Sequence, residues 1–209
     1  MAATAPASLT PRKKPRQARS TATLDAIFEA TIQVLLADGM RALTTTRVAE
    51  RAGVSVGTMY QYFPHKQSLI YALNERYLEV LAEKIEASCR AHTGRPIGEM
   101  LEDLIETYWR AKTERADVTR ALYRSVVEMD NEALVDAFAK RVDVATTAML
   151  ESAPDAKFRD VHAVNLALVT VIFGTIRNAF ERNLSQQAID ALQVELLAMC
   201  RAYVALARG

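Results

Sequence analysis

Glycine and proline are scarce in this chain of 209 residues, which contains only 7 and 6 of them. Sheets of short strands need frequent tight turns, and turns draw heavily on these two residue types. The composition therefore argues against a β-rich fold. Half of the residues are hydrophobic, which is enough to bury a core, and helix-favouring alanine, leucine, glutamate and arginine are abundant. The composition predicts an all-α fold.

Cysteine is nearly absent, since Cys89 and Cys200 stand alone in two different predicted helices. Two such cysteines exclude a disulfide framework and a thiolate metal site, and they fit a reducing cytoplasm. The sequence also has no CxxC, HExxH or GxxxxGK[ST] motif and no paired carboxylates at a usable spacing. We therefore predict a protein that is not an enzyme and that needs no metal or cofactor.

Long hydrophobic runs are missing as well. The most apolar segment, residues 164–180, is interrupted by Asn165, Gly174 and Arg177, and no run approaches the roughly 18 apolar residues of a membrane span. The N-terminus carries its charges after small apolar residues and has no apolar centre, so it does not fit a secretory signal. We expect a cytoplasmic protein with no membrane partner.

Charge of one sign is concentrated at the N-terminus, although the formal net charge is only +1. Nine basic and four acidic residues occur up to Lys66, against 17 basic and 21 acidic residues after it. Residues 1–19 lack hydrophobic periodicity, so we predict a disordered basic tail, which either adds phosphate contacts or is a leader without a role. The basic third of the chain is the part expected to meet a polyanion.

Two short helices joined by a tight turn are predicted inside this basic third. An amphipathic helix begins at Ser20 and ends at Gly39. The threonines at 44–46 offer N-caps for a short helix that closes at Gly53, and Ser55 caps the next one, which must stop before Pro64. Six longer helices follow, at 66–90, 97–114, 117–129, 131–151, 157–182 and 186–207, which brings the predicted total to about nine. We predict a DNA-binding domain at 20–65 and a larger helical domain at 66–209 that shares the helix starting near Lys66.

The letters GVSVG at 53–57 also match the G-x-S-x-G nucleophile elbow of hydrolases, with Ser55 as the nucleophile. That elbow needs a buried strand before the serine, whereas the preceding TTTRVAERA is helical and charged. A helix-turn-helix instead needs a second helix with one packing face and one groove-facing side. Placing Met59 at the centre of the packing face puts Val56 and Phe63 beside it, and it puts Gly57 and Gln61 on the opposite side.

The segment TTTRVAERAGVSVGTMYQYFPHKQSLIYAL, residues 44–73, resembles the DNA-binding signature of the tetracycline-repressor (TetR) family of bacterial transcription regulators. The resemblance implies an N-terminal helix-turn-helix and a C-terminal helical ligand sensor and dimerisation domain. It also implies phosphate contacts from Thr45, Tyr60, Tyr62 and Lys66. The residues expected to approach bases or backbone are Ser55, Val56, Gly57, Thr58 and Gln61.

Two features of the segment depart from an ordinary recognition element. His65 stands where the family often has a small polar N-cap, so it is either a poorer cap, a phosphate contact or an exposed residue without a role. The recognition helix carries no lysine or arginine, and Arg47 or the basic tail must therefore supply much of the charge.

The C-terminal domain offers candidates for two further sites, and for both sites packing in the monomer core is the alternative. Aromatic, methionine and amide side chains on the middle helices are expected to hold a bulky apolar or aromatic effector. They are Tyr71, Tyr108, Trp109, Tyr123, Met129, Phe138 and Asn165. The last two helices are apolar over much of their circumference, which suggests a homodimer interface. Its predicted residues are Phe173, Gly174, Ile176, Phe180, Leu192, Leu196 and Met199.

These expectations combine into a ligand-responsive repressor that binds a palindromic DNA operator as a homodimer and is released by a small-molecule effector. The alternatives are a helical adaptor that binds other proteins without specific DNA binding, and the Ser55 hydrolase.

Overall fold

The structure of the chain is a computed structural model that describes residues 18–126 and 131–208. Within these residues it contains nine α-helices, and the only β element is an isolated bridge between Phe158 and Arg208. The prediction of an all-α fold with about nine helices is confirmed. The helices are α1 Ala18–Ala42, α2 Thr45–Ala52, α3 Val56–Tyr62, α4 Lys66–His92, α5 Ile97–Thr113, α6 Ala116–Val126, α7 Glu132–Glu151, α8 Val161–Glu181 and α9 Gln186–Ala207.

Most helix ends lie close to their predicted positions because local signals set them. Gly39 interrupts α1 with φ 74°, a left-handed value that costs glycine little, and the helix continues past it to Ala42. Helix α8 begins at Val161 and not at the predicted residue 157, because Asp160 is its N-cap and accepts the N–H of Ala163 at 3.0 Å. The predicted tail at 1–19 lies mostly outside the described residues, and α1 already includes Ala18.

The chain divides into two compact units. The N-terminal unit contains the described residues up to Leu78 together with those of Asp117–Asp136, and the C-terminal unit contains Glu79–Ala116 and the chain from Ala137 onward. The predicted boundary at residue 65 differs from this division because the first part of α4, α6 from Asp117 onward and the first turn of α7 belong to the N-terminal unit. The division falls between Leu78 and Glu79, within α4.

A single hydrophobic core holds the N-terminal unit together. Its most buried members come from α1, α2, α3, α4 and α6: Ile27, Val34, Val48, Met59, Phe63, Leu69, Ile70 and Leu122. The Phe28 and Phe63 rings pack 5.9 Å apart, which joins the first helix to the end of α3. This packing supports α2 and α3 from one side and leaves their other side to solvent.

The C-terminal unit is a helical bundle in which α5, α8 and α9 contact one another. Helix α8 is the one described helix that is long and apolar enough to cross a membrane, with a mean hydropathy of 1.5 in its most apolar window. Its buried stripe contains Val164, Leu168, Ile172 and Ile176, and it also buries the amide of Asn165. A stripe of this kind is what the core helix of a bundle presents to its neighbours.

Candidate nucleic-acid interface and effector region

Helix α2 has a capping residue at each end, and these two residues fix where it begins and ends. The Thr44 hydroxyl accepts the N–H of Arg47 at 3.2 Å at the N-terminus. At the other end Gly53 adopts φ 67°, and its N–H bonds the carbonyl groups of Ala49 and Glu50. The left-handed conformation at Gly53 ends the helix and turns the chain sharply into α3.

Helix α3 begins at a serine cap. The Ser55 hydroxyl accepts the N–H of Thr58 at 2.9 Å and lies 2.8 Å from the Thr58 hydroxyl oxygen. A helix precedes this serine, so the strand that a nucleophile elbow requires is not there. The hydroxyl of Ser55 is therefore placed as a cap, and the hydrolase interpretation loses its structural basis.

One side of α3 is exposed and the other is buried. Met59 is 0% exposed and Phe63 lies with it in the core, as predicted, whereas Gly57 and Gln61 are exposed. Ser55 and Tyr60 are exposed on the same element, the tyrosine at 46%. Small and polar-tipped groups on a fixed helix can approach base edges and phosphates, so the exposed side forms a candidate DNA-contact surface.

Three predicted DNA-contact residues are not placed as the sequence suggested. Val56 is 40% exposed, so its predicted position beside Met59 on the packing face is wrong. Tyr62 is only 5% exposed and its ring packs 6.2 Å from that of Phe63, whereas the resemblance implied a phosphate contact. Thr45, for which the resemblance also implied a phosphate contact, is buried at the first turn of α2. Tertiary packing decides the positions on α3, because a helix of seven residues has too few turns for its periodicity to define a face sharply.

The basic side chains of α2 are held by α1. The guanidinium of Arg47 pairs with Asp38 at 2.8 Å and donates to the Ala42 carbonyl at 3.2 Å. Arg51 donates to the Gln33 amide oxygen at 2.8 Å. Both arginines are exposed. Their contacts with α1 orient them on α2, the helix that precedes the candidate DNA-contact surface of α3.

His65 has a definite structural role as the N-cap of α4. Its Nδ1 accepts the N–H of Ser68 at 3.1 Å, and the Ser68 hydroxyl donates to the His65 carbonyl oxygen at 2.7 Å. A neutral ring that accepts at Nδ1 carries its proton on Nε2. His65 therefore closes the start of α4 next to half-buried Lys66.

Replacing His65 by alanine should lower the free energy of unfolding by about 1 kcal/mol, because the N–H of Ser68 loses its partner. Asparagine, a strong N-cap, should restore the stability of the wild type. Urea denaturation of the two variants measures both effects. An equal loss of stability in both would contradict the capping role. A loss of DNA affinity in both variants, including the stable His65→Asn, would assign the ring to a phosphate contact.

The predicted effector residues do not come together as one group. Tyr108 on α5 stacks on Phe173 of α8 with ring centroids 3.9 Å apart, and Phe138 of α7 lies 6.0 Å from the same ring. Trp109 is buried on a different side of α5, beside Val194 and Leu197 of α9.

The remaining effector candidates lie elsewhere. Tyr71 and Tyr123 belong to the N-terminal unit, and Met129 lies outside the described residues. Asn165 is buried in the C-terminal unit: its amide nitrogen donates to Asp143 at 3.4 Å, and its oxygen has no partner among the described residues. That amide and the cluster of Tyr108, Phe138 and Phe173 are the candidates that remain for an effector site in the C-terminal unit.

Sequence reasoning missed Lys112, which lies in the same region. It is 2% exposed, and its Nζ lies 5.3 Å above the Tyr108 ring. Burial, together with the nearby charge of Arg177, lowers the pKa of the Lys112 ammonium to about 7. The signal was present in the sequence, because Leu101, Leu104 and Tyr108 precede Lys112 at spacings of three and four on the buried face of α5.

The predicted dimer residues separate into core and surface. Ile176, Phe180 and Leu196 are buried inside the C-terminal unit and offer no surface to a partner, so that part of the prediction is wrong. Phe173 is half-buried in the stack with Tyr108. Leu192 is also half-buried, whereas Gly174 and Met199 are exposed.

The exposed side of α9 is largely apolar, and α8 has two large apolar residues that are exposed. On α9 the exposed apolar residues include Val194, Met199 and Leu206, of which Leu206 is 86% exposed, and on α8 they are Leu166 and Val171. Between the larger residues of α9 the same face carries exposed alanines: Ala188, Ala191, Ala198, Ala202 and Ala205. Small residues allow the backbone of another helix to approach closely. Hydrophobic periodicity does not reveal such a face when the helix is apolar on every side.

The fold and the site together define a class of protein. Two short capped helices meet at a left-handed glycine, one of them presents a small, polar outer side, and a helical bundle follows. That arrangement is a helix-turn-helix DNA-binding regulator.

Comparison with known proteins identifies the family. Residues 27–73 match the model of bacterial regulatory proteins of the tetR family, and residues 96–203 match the tetracyclin repressor-like C-terminal domain. The chain belongs to the TetR family of DNA-binding transcriptional regulators, as its resemblance over residues 44–73 predicted.

Curated relatives and solved structures agree with this assignment. The nucleoid occlusion factor SlmA of Haemophilus ducreyi is 29% identical over 166 residues, which cover 76% of this chain and 81% of that protein. The transcriptional repressor KstR of Mycolicibacterium smegmatis is 33% identical over 56% of this chain, which spans only 57% of KstR. A putative TetR-family regulator from Mesorhizobium loti has the same fold, with a TM-score of 0.73 at 14% identity over 92% of this chain and all of that one.

Proposed function

We propose that the protein is a transcriptional repressor that binds a near-palindromic operator as a homodimer and responds to a small, largely apolar or aromatic effector. The observation that carries the DNA-binding part is the exposed side of α3, where Ser55, Gly57 and Gln61 face solvent on a helix anchored by fully buried Met59. Gln61 can bond an adenine edge or a phosphate, and Gly57 allows close approach of the backbone. Repression is favoured over activation because KstR is named a transcriptional repressor.

The homodimer is supported by the exposed apolar side of α9 and by exposed Leu166 and Val171 of α8. A monomer seldom exposes many large hydrophobic side chains, and on α9 these side chains alternate with alanines on neighbouring turns. A two-fold axis through this face would give the dimer two recognition helices. The matching operator has two half-sites about one DNA turn, roughly 34 Å, apart.

The effector is proposed to bind in the C-terminal unit near the cluster of Tyr108, Phe138 and Phe173. Stacked aromatic rings with a few polar groups are typical of small-molecule sites, and the buried amide of Asn165 can recognise a polar atom of a ligand. Release from the operator requires that the effector bind the DNA-incompetent conformation more tightly than the DNA-bound one.

Substituting Tyr60 or Lys66 by alanine should weaken binding to operator and random DNA alike. Both side chains are proposed to contact phosphates, and each lost phosphate contact made by a cation should reduce the salt slope by about one unit. For Lys66→Ala we expect that reduction, and for neutral Tyr60→Ala we expect weaker binding with the slope unchanged. Fluorescence anisotropy with DNA from the region upstream of the gene, titrated against random DNA at several salt concentrations, measures both quantities.

Lys157→Ala provides the matched control, since Lys157 is an exposed lysine of the C-terminal unit. It should leave affinity and slope unchanged. Tyr62 is not a suitable test position because its ring is part of the core, and a loss of binding could reflect a loss of stability. Wild-type behaviour of both variants at every salt concentration would rule out the proposed docking, and a wild-type protein that binds no DNA would favour the helical adaptor.

A further inference from the structure

An ion pair joins the end of α1 to the start of α2 on the surface of the N-terminal unit. The Nη2 of Arg47 lies 2.8 Å from the Oδ2 of Asp38, and its Nη1 donates to the carbonyl oxygen of Ala42 at 3.2 Å. Asp38 directly precedes Gly39, where α1 is interrupted, and Arg47 is the third residue of α2. One guanidinium therefore holds the corner between the two helices on both sides of this interruption.

The corner belongs to the helix that is expected to cross the DNA backbone. In a helix-turn-helix the second helix enters the major groove, and the first one crosses the phosphates. The first turn of α2 is open to solvent at Thr46 and at Arg47, whose side chain is 48% exposed. Because α3 contains no lysine or arginine, a cation on α2 is a large part of the positive charge that this element can offer to phosphates.

The carboxylate of Asp38 adds more than orientation to this corner. One turn farther along α2, α1 holds Arg51 through a neutral group, the amide oxygen of Gln33, at 2.8 Å. A neutral acceptor is thus sufficient to orient an arginine on this helix, whereas Asp38 also cancels the charge of the arginine that it holds. Arg41 and Glu50 are exposed on the same two helices and carry opposite charges, so they leave the local balance unchanged.

We propose that Asp38 sets the affinity of the protein for DNA by competing with phosphate for the guanidinium of Arg47. In the free protein the carboxylate holds the cation, and a phosphate gains that cation only by displacing Asp38. Because this competition involves the DNA backbone and not the bases, it lowers binding to every sequence. The inference rests on the proposed docking of α2 across the phosphates.

The substitution Asp38→Asn removes the charge and keeps an oxygen that can accept from Arg47. The variant should bind a duplex of random sequence about three- to eightfold more tightly at 0.1 M salt, and its salt slope should be steeper by about one unit, as one added phosphate contact requires. Its midpoint of urea denaturation should match that of the wild type, because an exposed ion pair adds little to stability. Fluorescence anisotropy of the full-length protein at several salt concentrations measures the affinity and the slope. Weaker or unchanged binding would show that Asp38 only orients Arg47, and the inference would be wrong.

A double-mutant cycle separates competition for Arg47 from a general effect of negative charge near DNA. Asp38→Asn should raise the affinity at least threefold more when Arg47 is present than when the protein also carries Arg47→Ala. The reason is that only the intact arginine can form the new phosphate contact. Equal gains in the two backgrounds would mean that Asp38 repels DNA without acting through Arg47, which would also overturn the inference.

Asp25→Asn is the matched control. Asp25 is likewise an exposed aspartate of α1 that pairs with an arginine, in this case Arg76 of α4. Its substitution should change the affinity for random DNA less than twofold, and a gain equal to that of Asp38→Asn would contradict a specific role for Asp38. Wild-type protein that binds no DNA would overturn the proposed function and this inference together. DNA binding by the wild type with no gain in Asp38→Asn would overturn this inference alone.

Discussion

Replacing Gly57 by alanine should weaken operator binding about tenfold or more while the free energy of unfolding stays the same or rises by up to about 1 kcal/mol. The two effects separate because nothing inside the protein needs a glycine at this position. A Cβ built at Gly57 would meet only the Ser55 hydroxyl at 3.7 Å, which is ordinary van der Waals contact, and the backbone there has no positive φ. The missing side chain of Gly57 therefore leaves room outside the protein, on the solvent side of α3.

That space belongs to DNA in the proposed docking. Gly57 is the second residue of α3, at the end of the recognition helix that enters the major groove first. An added methyl would hold the helix away from the base edges, and the hydrogen bonds of Gln61 would lengthen with it. Gly57→Leu should increase the loss of affinity. Anisotropy titrations measure the binding, and urea denaturation measures the stability.

Gly98→Ala is a closely matched control for this substitution. Gly98 is likewise the second residue of a helix, here α5, and an added Cβ meets nothing within 4 Å. It should give the same gain in stability with no change in DNA affinity. If Gly57→Ala bound operator as tightly as Gly98→Ala, α3 would not approach DNA through this face, and the recognition-helix assignment would have to be abandoned.

Substituting Ala198 by arginine should convert the proposed dimer into a monomer and reduce operator affinity roughly 100-fold or more. Ala198 is exposed in the middle of the apolar face of α9, between Val194 and Ala202. An arginine there would place an unpaired charge in the proposed interface, at a cost of several kcal/mol. A monomer binds one half-site at a time and loses the gain of roughly 10² to 10⁴ that joining two binding modules supplies.

Sedimentation velocity over a range of protein concentrations measures the change in association. Ala91→Arg, an exposed alanine of α4 away from this face, is the matched control and should remain a dimer. Both variants should keep their helix content, because neither alanine is part of the core. A dimer of unchanged strength in Ala198→Arg would move the interface away from α9.

The fold was predictable to the extent that it depends on local hydrogen bonds. Thr44 and Ser55 cap the helices that follow them, and Gly53 closes α2, as their residue types indicate. The exception at α8 has the same physical origin, since Asp160 provides a cap that the apolar pattern alone did not reveal. For α3, the helical period also predicted that Met59 is buried and that Gly57 and Gln61 are exposed.

The C-terminal sites were less predictable because their helices are apolar on more than one side. Periodicity could not tell which side of α8 and α9 packs inward, and Ile176, Phe180 and Leu196 were assigned to the surface although they are core residues. The aromatic residues of α5 were grouped by type, yet neighbouring positions on a helix point about 100° apart. Tyr108 consequently meets α8 while Trp109 meets α9.

By itself, the sequence determined the helical class, the positions of most helix ends and the helix-turn-helix, because these depend on residue propensities and on contacts three to five residues apart. Only the tertiary structure decided which residues of the apolar helices are buried, how Tyr62 joins the core, and that the ammonium of Lys112 lies over the Tyr108 ring. It also paired Glu86 of α4 with Arg141 of α7, 55 residues apart in the chain. Packing between distant segments sets these features, and no local pattern records which segments will meet.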